Sequence, residues 1–97
     1  MKFELEVISE EILPAVRSLI AQEMKDSYGL KQREIANKTG MTQPAVSNYL
    51  NGSRADKKTK EKIGNDPQIQ ILLEDAASLA VNDENYAEEI SQIIWNI

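Results

Sequence analysis

The side chains best suited to do chemistry are the amides and hydroxyls of one short segment, Gln32–Asn51, which reads QREIANKTGMTQPAVSNYLN. If 42–50 is helical and turns Val46, Tyr49 and Leu50 inward, its outward face carries short or polar side chains and no carboxylate. Such a helix fits the major groove of duplex DNA, which is about 12 Å wide, and an amide at its start can bond two atoms of an adenine. The residues expected to read bases are Gln43, Pro44, Ser47 and Asn48.

Other kinds of chemistry find little support in the composition. The chain has no cysteine and no histidine, which removes disulfides, thiol nucleophiles, imidazole bases and the usual zinc sites. The 16 acidic residues are spread along apparent helix faces without a distinct pair. We therefore expect no catalytic residues, no metal site and no cofactor.

The charge is strongly segregated along the chain. The net charge is −5, yet 31–62 holds eight basic and three acidic residues and so carries +5, while the remainder carries −10. Because the local field governs attraction to phosphates, the basic window is expected to face DNA and the acidic remainder to point away from it. The residues expected to contact phosphates are Lys31, Arg33, Arg54, Lys57, Lys58 and Lys60.

Two short helices must position these groups. Ile35 and Ala36 are expected on the inner face of the first, 31–39, and Gly40 falls where a tight turn needs a positive φ. Met41 would fill the corner, and Thr42 is a natural N-cap for the second helix. This arrangement is that of two helices joined by a short turn containing glycine.

The same segment resembles the helix-turn-helix of phage-repressor-type regulators, the lambda repressor and Cro class. Together with Ile12–Ala21, ILPAVRSLIA, it also resembles small archaeal regulators, and the likeness covers 9–55. The resemblance implies that Gln43 reads a base, that Gln32 braces it against a phosphate, and that Thr42 and its neighbours contact DNA. Lys31 departs from the Ser or Thr that commonly caps the first helix, and Pro44 would offer an apolar contact to a thymine methyl.

The N-terminal residues alternate apolar and charged side chains. Phe3, Leu5 and Val7 follow a period of two, which predicts a short β-strand over Lys2–Val7. A lone strand needs a partner, so it either pairs with its copy in a second subunit or is a frayed tail.

The rest of the chain reads as helical. We predict a helix over Ser9–Tyr28 capped by Ser9, a partly helical basic segment at Arg54–Ile63, a helix from Asp66-Pro67 to about Val81, and a last helix to near the end. The expected fold is mainly α, a five- to six-helix single domain over 1–97. Its parts would be an N-terminal arm (1–8), a DNA-binding core (9–55) and a basic segment with C-terminal helices (56–97).

The C-terminal helices are apolar enough to suggest a homodimer. The simplest explanation of the apolar side chains on the last helix, however, is that they belong to the core of one chain. The residues expected at the dimer interface are Phe3, Leu5, Val7, Ile90, Ile93, Ile94, Trp95 and Ile97.

These observations predict a cytoplasmic transcription regulator that binds double-stranded DNA as a homodimer, without a membrane segment. The alternative is a helical adaptor for other proteins, or an antitoxin, built on the same scaffold.

Overall fold

The computed structural model describes residues 4–52 and 54–97, which form helices and connecting turns without a β-strand. No helix in these two ranges is long and apolar enough to cross a membrane. The helices are α1 (Leu5–Val7), a π-helical turn (Ile8–Ile12), α2 (Leu13–Tyr28), α3 (Gln32–Thr39), α4 (Gln43–Leu50), α5 (Lys57–Gly64), α6 (Pro67–Val81) and α7 (Ala87–Asn96).

The predicted N-terminal strand is wrong where the structure describes it. Leu5–Val7 is helical, and the backbone stays helical through the π-helical turn into α2. A helix pairs its backbone groups within its own segment, as in the bond from the N–H of Ile8 to the carbonyl of Glu4 at 3.1 Å, whereas a strand would need a partner. A pattern of only three alternating apolar residues is too short to distinguish a β-strand from a helix. Lys2 and Phe3 lie outside the described residues.

The expected cap at Ser9 is also wrong, because the helix begins before it. Ser9 lies inside the π-helical turn, where its hydroxyl donates to the carbonyl of Glu6 at 3.3 Å. Pro14 is the second residue of α2. The π-helical turn ends at Ile12, two residues before this proline, which has no N–H to give to a helical ladder. If the N-terminal helical stretch is counted as one element, the described residues form six, within the predicted number.

Helix α2 is the central element of the core. Ile12, Val16, Ile20 and Met24 are buried, and their four-residue spacing places them along one face of the helix. Helices α3, α4, α5 and α6 pack against α2, α7 packs against α6, and all of them contribute to one continuous apolar cluster. The pair α3–α4 is therefore held against the same helix that supports α6.

The caps of the later helices follow the sequence closely. The carboxylate of Asp66 accepts from the N–H groups of Gln68 and Ile69, and α6 starts at Pro67, as predicted. The basic segment is helical over Lys57–Gly64 and begins at an Asp56 cap.

A buried polar contact joins α2 to the end of α4. Ser18 has no exposed surface, and its hydroxyl donates to the backbone carbonyl of Tyr49 at 2.9 Å. Tyr49 is in the last turn of α4, where carbonyls lack a partner within the helix. The hydroxyl thus satisfies a buried acceptor and fixes the C-terminal end of α4 against α2.

We expect Ser18→Ala to lower the free energy of unfolding by about 1–2 kcal/mol, because it leaves the carbonyl of Tyr49 buried without a donor. Urea titration followed by circular dichroism measures this change. Ser91→Ala, at an exposed position of α7, is the matched control and should change the free energy by less than about 0.5 kcal/mol. Equal effects of the two substitutions would show that the Ser18 bond contributes nothing.

Candidate nucleic-acid interface

The turn between α3 and α4 depends on one backbone conformation. Gly40 has φ 74° and ψ 7°, the left-handed region predicted for it, and its N–H donates to the carbonyl of Ala36 at 3.0 Å. A Cβ at Gly40 would meet nothing within 4 Å, so the constraint is φ rather than space. Thr39 closes the corner: its hydroxyl donates to the carbonyl of Ile35 at 2.7 Å and accepts from the N–H of Met41 at 3.4 Å.

Thr42 starts the second helix of the motif as predicted. Its backbone is extended and its hydroxyl accepts from the N–H of Ala45 at 3.2 Å, which is an N-cap bond. Pro44 stands in the first turn, where its missing N–H costs no helical bond. Behind these residues Val46 and Tyr49 are buried in the core.

The outward face of α4 is open to solvent. Gln43, Pro44 and Asn48 are exposed, Ser47 is half-buried beside them, and α4 itself contains no carboxylate. Gln43 is at the first residue of the helix, so its amide lies at the tip of this face. A face of this composition can present hydrogen-bonding groups to base edges.

Next to α4 lies a surface cavity of about 490 Å³, which we call the α3–α4 cleft. Lys31 and Gln32, at the start of α3, line it together with Ser47 of α4. The structure thus brings two residues predicted to contact phosphates beside one predicted to read bases. Lys25 and Asn51 also line the cleft, although neither was among the residues predicted to contact DNA. Lys25 belongs to α2, and no local pattern relates it to α4.

The carboxylate of Glu34 is engaged within α3. It accepts from the backbone N–H of Lys31 at 3.1 Å, which is the bond that a glutamate three residues after the N-cap makes in a capping box. The carboxylate keeps its negative charge at the start of α3. Arg33 is exposed on the same first turn.

Arg54 lies beside the end of α4. Its guanidinium carbon is 5.2 Å from the centre of the Tyr49 ring, within the range of a cation–π contact. The Arg54 side chain is exposed, and its contact with the ring places it next to the C-terminal turn of α4.

The lysines of α5 are divided between its faces. Lys57 is exposed and Lys60 is half-buried. Lys58, which is exposed, lines a different groove, about 280 Å³ in volume, together with Val7 and Ile97. The contact of Lys57, Lys58 and Lys60 with phosphates stays a prediction, and Lys58 is the one of the three that lines this groove.

Asp56 occupies the N-terminal end of α5. Its carboxylate accepts from the N–H and the hydroxyl of Thr59, both at 2.9 Å. The backbone bond from Thr59, more than any other contact, lowers the pKa of this carboxyl below its usual value. The start of α5 therefore already holds an anion, so a DNA phosphate would meet the lysine side chains rather than free N–H groups.

The residues predicted for a dimer interface differ in exposure. Leu5 and Trp95 are exposed over 83% and 78% of their surfaces. Ile93 is fully buried inside the single chain, so it is not available to a second copy in this conformation. The residues that lie half-buried at the edge of the core are Val7, Ile90, Ile94 and Ile97.

Comparison with known proteins gives one positive finding. Residues 20–64 match the family model described as "Helix-turn-helix". Neither the curated proteins nor the solved structures gave a match. The matched range runs from the second half of α2 through α5 and contains the turn at Gly40, the outward face of α4 and the α3–α4 cleft. This part of the chain is therefore similar to the helix-turn-helix family, and the match covers just under half of the sequence.

Proposed function

We propose that this protein is a transcription regulator that recognises a specific duplex DNA sequence and acts as a homodimer, without catalytic activity. The observation that carries the proposal is the outward face of α4, which is exposed, contains no carboxylate and begins with Gln43 at the first residue of the helix. The family match over the same residues supports DNA as the partner. The closer likeness to archaeal regulators remains part of this proposal.

In the proposed complex α4 enters the major groove with its N-terminal end foremost. Gln43 makes paired hydrogen bonds to an adenine, Pro44 packs on a thymine methyl, and Ser47 and Asn48 reach bases or phosphates further along. Lys31 and Gln32 contact phosphates of the DNA backbone at the rim of the α3–α4 cleft. Contacts to phosphates set the position of the helix, whereas contacts to base edges set the preferred sequence.

The half-buried and exposed apolar residues of α7 suggest how two copies associate. Trp95 exposes 78% of its surface, and Ile71 on the neighbouring α6 exposes 60%. Large exposed apolar side chains are common at protein interfaces, and tryptophan frequently contributes a large share of binding energy. A two-fold dimer would place its recognition helices about 34–36 Å apart, one turn of DNA.

We expect Gln43→Ala and Lys31→Gln to weaken DNA binding in different ways. Gln43→Ala should cost about 1–3 kcal/mol on the preferred site and relax the preference at one base position, because it removes a base contact. Lys31→Gln should weaken specific and random duplexes alike and lower the slope of log Kd against log salt by about 1.

Selection of bound duplexes from a random pool, followed by fluorescence anisotropy at several salt concentrations, separates these effects. Gln92→Ala, at an exposed amide on α7, is the matched control and should change neither quantity. The base-reading role is refuted if Gln43→Ala loses the same affinity on specific and random DNA. Failure of the wild-type chain to bind any duplex would instead favour the adaptor alternative.

We expect sedimentation at tens of micromolar to show a dimer, and Trp95→Gln to raise its dissociation constant at least tenfold, through loss of a buried aromatic anchor. Tyr28→Gln, which removes an exposed aromatic from the end of α2, should leave the constant unchanged. A monomeric wild-type chain at this concentration would contradict the dimer while leaving DNA binding intact.

A further inference from the structure

A cavity of about 380 Å³ lies at the C-terminal end of α3, shares no lining residue with the α3–α4 cleft, and we call it the corner cavity. Its floor is α2, one wall is the turn between α3 and α4, and the other wall is the start of α7 with the residues just before it. The volume falls within the usual range of small-molecule sites. No pattern in the sequence marks it, because its three sides come from segments distant along the chain.

The inner surface of the corner cavity is apolar. Val16 and Ile20 of α2 form its buried floor, and Met41 and Ile90 line its walls as half-buried residues. These side chains offer no hydrogen bond to water, so water is held there weakly and an apolar group would replace it favourably. The interior therefore suits the hydrocarbon part of a ligand.

The rim of the corner cavity is polar and positively charged. Arg17 is exposed at the edge, and among residues 4–52 and 54–97 no carboxylate lies within ion-pairing distance of its guanidinium. Tyr86 stands beside it: burial raises the pKa of this phenol, although the charge of Arg17 acts in the opposite direction. The phenol thus stays protonated at neutral pH and keeps its single O–H as a donor within the cavity wall. The guanidinium of Arg17 is the group at this edge that matches a carboxylate.

Two bonds tie the walls of the cavity together. Lys38 of α3 forms a salt bridge with Asp83, which precedes α7, at 3.1 Å. The hydroxyl of Tyr86 lies 3.5 Å from the backbone carbonyl of Thr39, a long contact at the corner of the helix-turn-helix. Both contacts are weak. A solvent-exposed salt bridge adds about 1 kcal/mol or less to stability, and the Tyr86–Thr39 contact is long for a hydrogen bond. A molecule filling the space between these walls would therefore strengthen a loose connection.

We propose that the corner cavity binds a small organic acid, with an apolar body against Val16, Ile20 and Met41 and its carboxylate on Arg17. At roughly 30 Å³ for each water-sized group, the cavity holds about a dozen non-hydrogen atoms. A bound acid holds the corner of the helix-turn-helix against α2 and α7 in the arrangement of this structure, where α4 presents its outward face. Because linkage is reciprocal, the acid then raises DNA affinity by the same factor by which DNA raises affinity for the acid. This second step rests on the proposed function, whereas binding of the acid does not.

The binding step is tested with 4-phenylbutyrate, and with 4-phenylbutanol as the uncharged analogue. Both are titrated into the ¹⁵N-labelled full chain while amide shifts are followed by NMR. We expect saturable shifts at Thr39, Met41 and Ala87, with the acid binding at least fivefold more tightly than the alcohol. Arg17→Gln should bring the two dissociation constants within twofold, while Lys62→Gln, which removes an exposed cation from another groove, should preserve the difference.

Shifts that do not saturate, that centre on other residues, or that show equal affinity for acid and alcohol in the wild-type chain would overturn the site. Arg17 is exposed, so its replacement by Gln is expected to leave the fold intact. The regulatory step is tested by repeating DNA titrations with saturating 4-phenylbutyrate, which should lower Kd at least threefold in the wild type and not in Arg17→Gln. An unchanged Kd refutes the linkage alone, and absence of DNA binding refutes the proposed function while the acid site stands.

Discussion

The position of the recognition helix depends on one buried hydrogen bond, from the hydroxyl of Ser18 to the carbonyl of Tyr49. An eight-residue helix is too short to be stable alone, so α4 needs its tertiary contacts. Val46 and Tyr49 supply apolar contact along its inner side, but such contact is non-directional. The serine adds a directional restraint at the C-terminal end. It also satisfies a carbonyl that would otherwise be buried without a partner.

At the other end of α4, local bonds set the geometry. Gly40 turns the backbone, Thr39 closes the corner, and Thr42 caps the next helix. These contacts involve residues close in sequence, so local conformational preference favours them. The two ends together fix the direction in which α4 leaves the core, and they hold Gln43 at its outer tip. The outward face of α4 is thus a consequence of restraints on residues that do not belong to it.

The helix-turn-helix separates two cavities with different surroundings. The α3–α4 cleft lies beside the outward face of α4 and is lined by lysines and amides, which suits the phosphate backbone of the proposed DNA partner. The corner cavity lies behind the turn and is mainly apolar, with one cation at its edge. Thr39 and Met41 line the corner cavity, and the same turn leads directly into α4, so the proposed acid site lies close along the chain to the outward face of α4.

The sequence determined the features that depend on neighbours along the chain. The turn at Gly40, the helix starts at Thr42 and Asp66 and the inward side of α4 follow from local conformational preference and helical period, and the structure confirms each of them. Where the local signal was short, it misled: three alternating residues predicted a strand, but Leu5–Val7 is helical because a helix pairs its own backbone groups. Only the tertiary structure decided which distant residues meet. It placed Lys25 beside Gln32, turned Lys58 away toward Ile97, buried Ile93 in the core and set Arg17 next to Tyr86. The packing of whole helices creates these proximities, and no spacing within one segment encodes them.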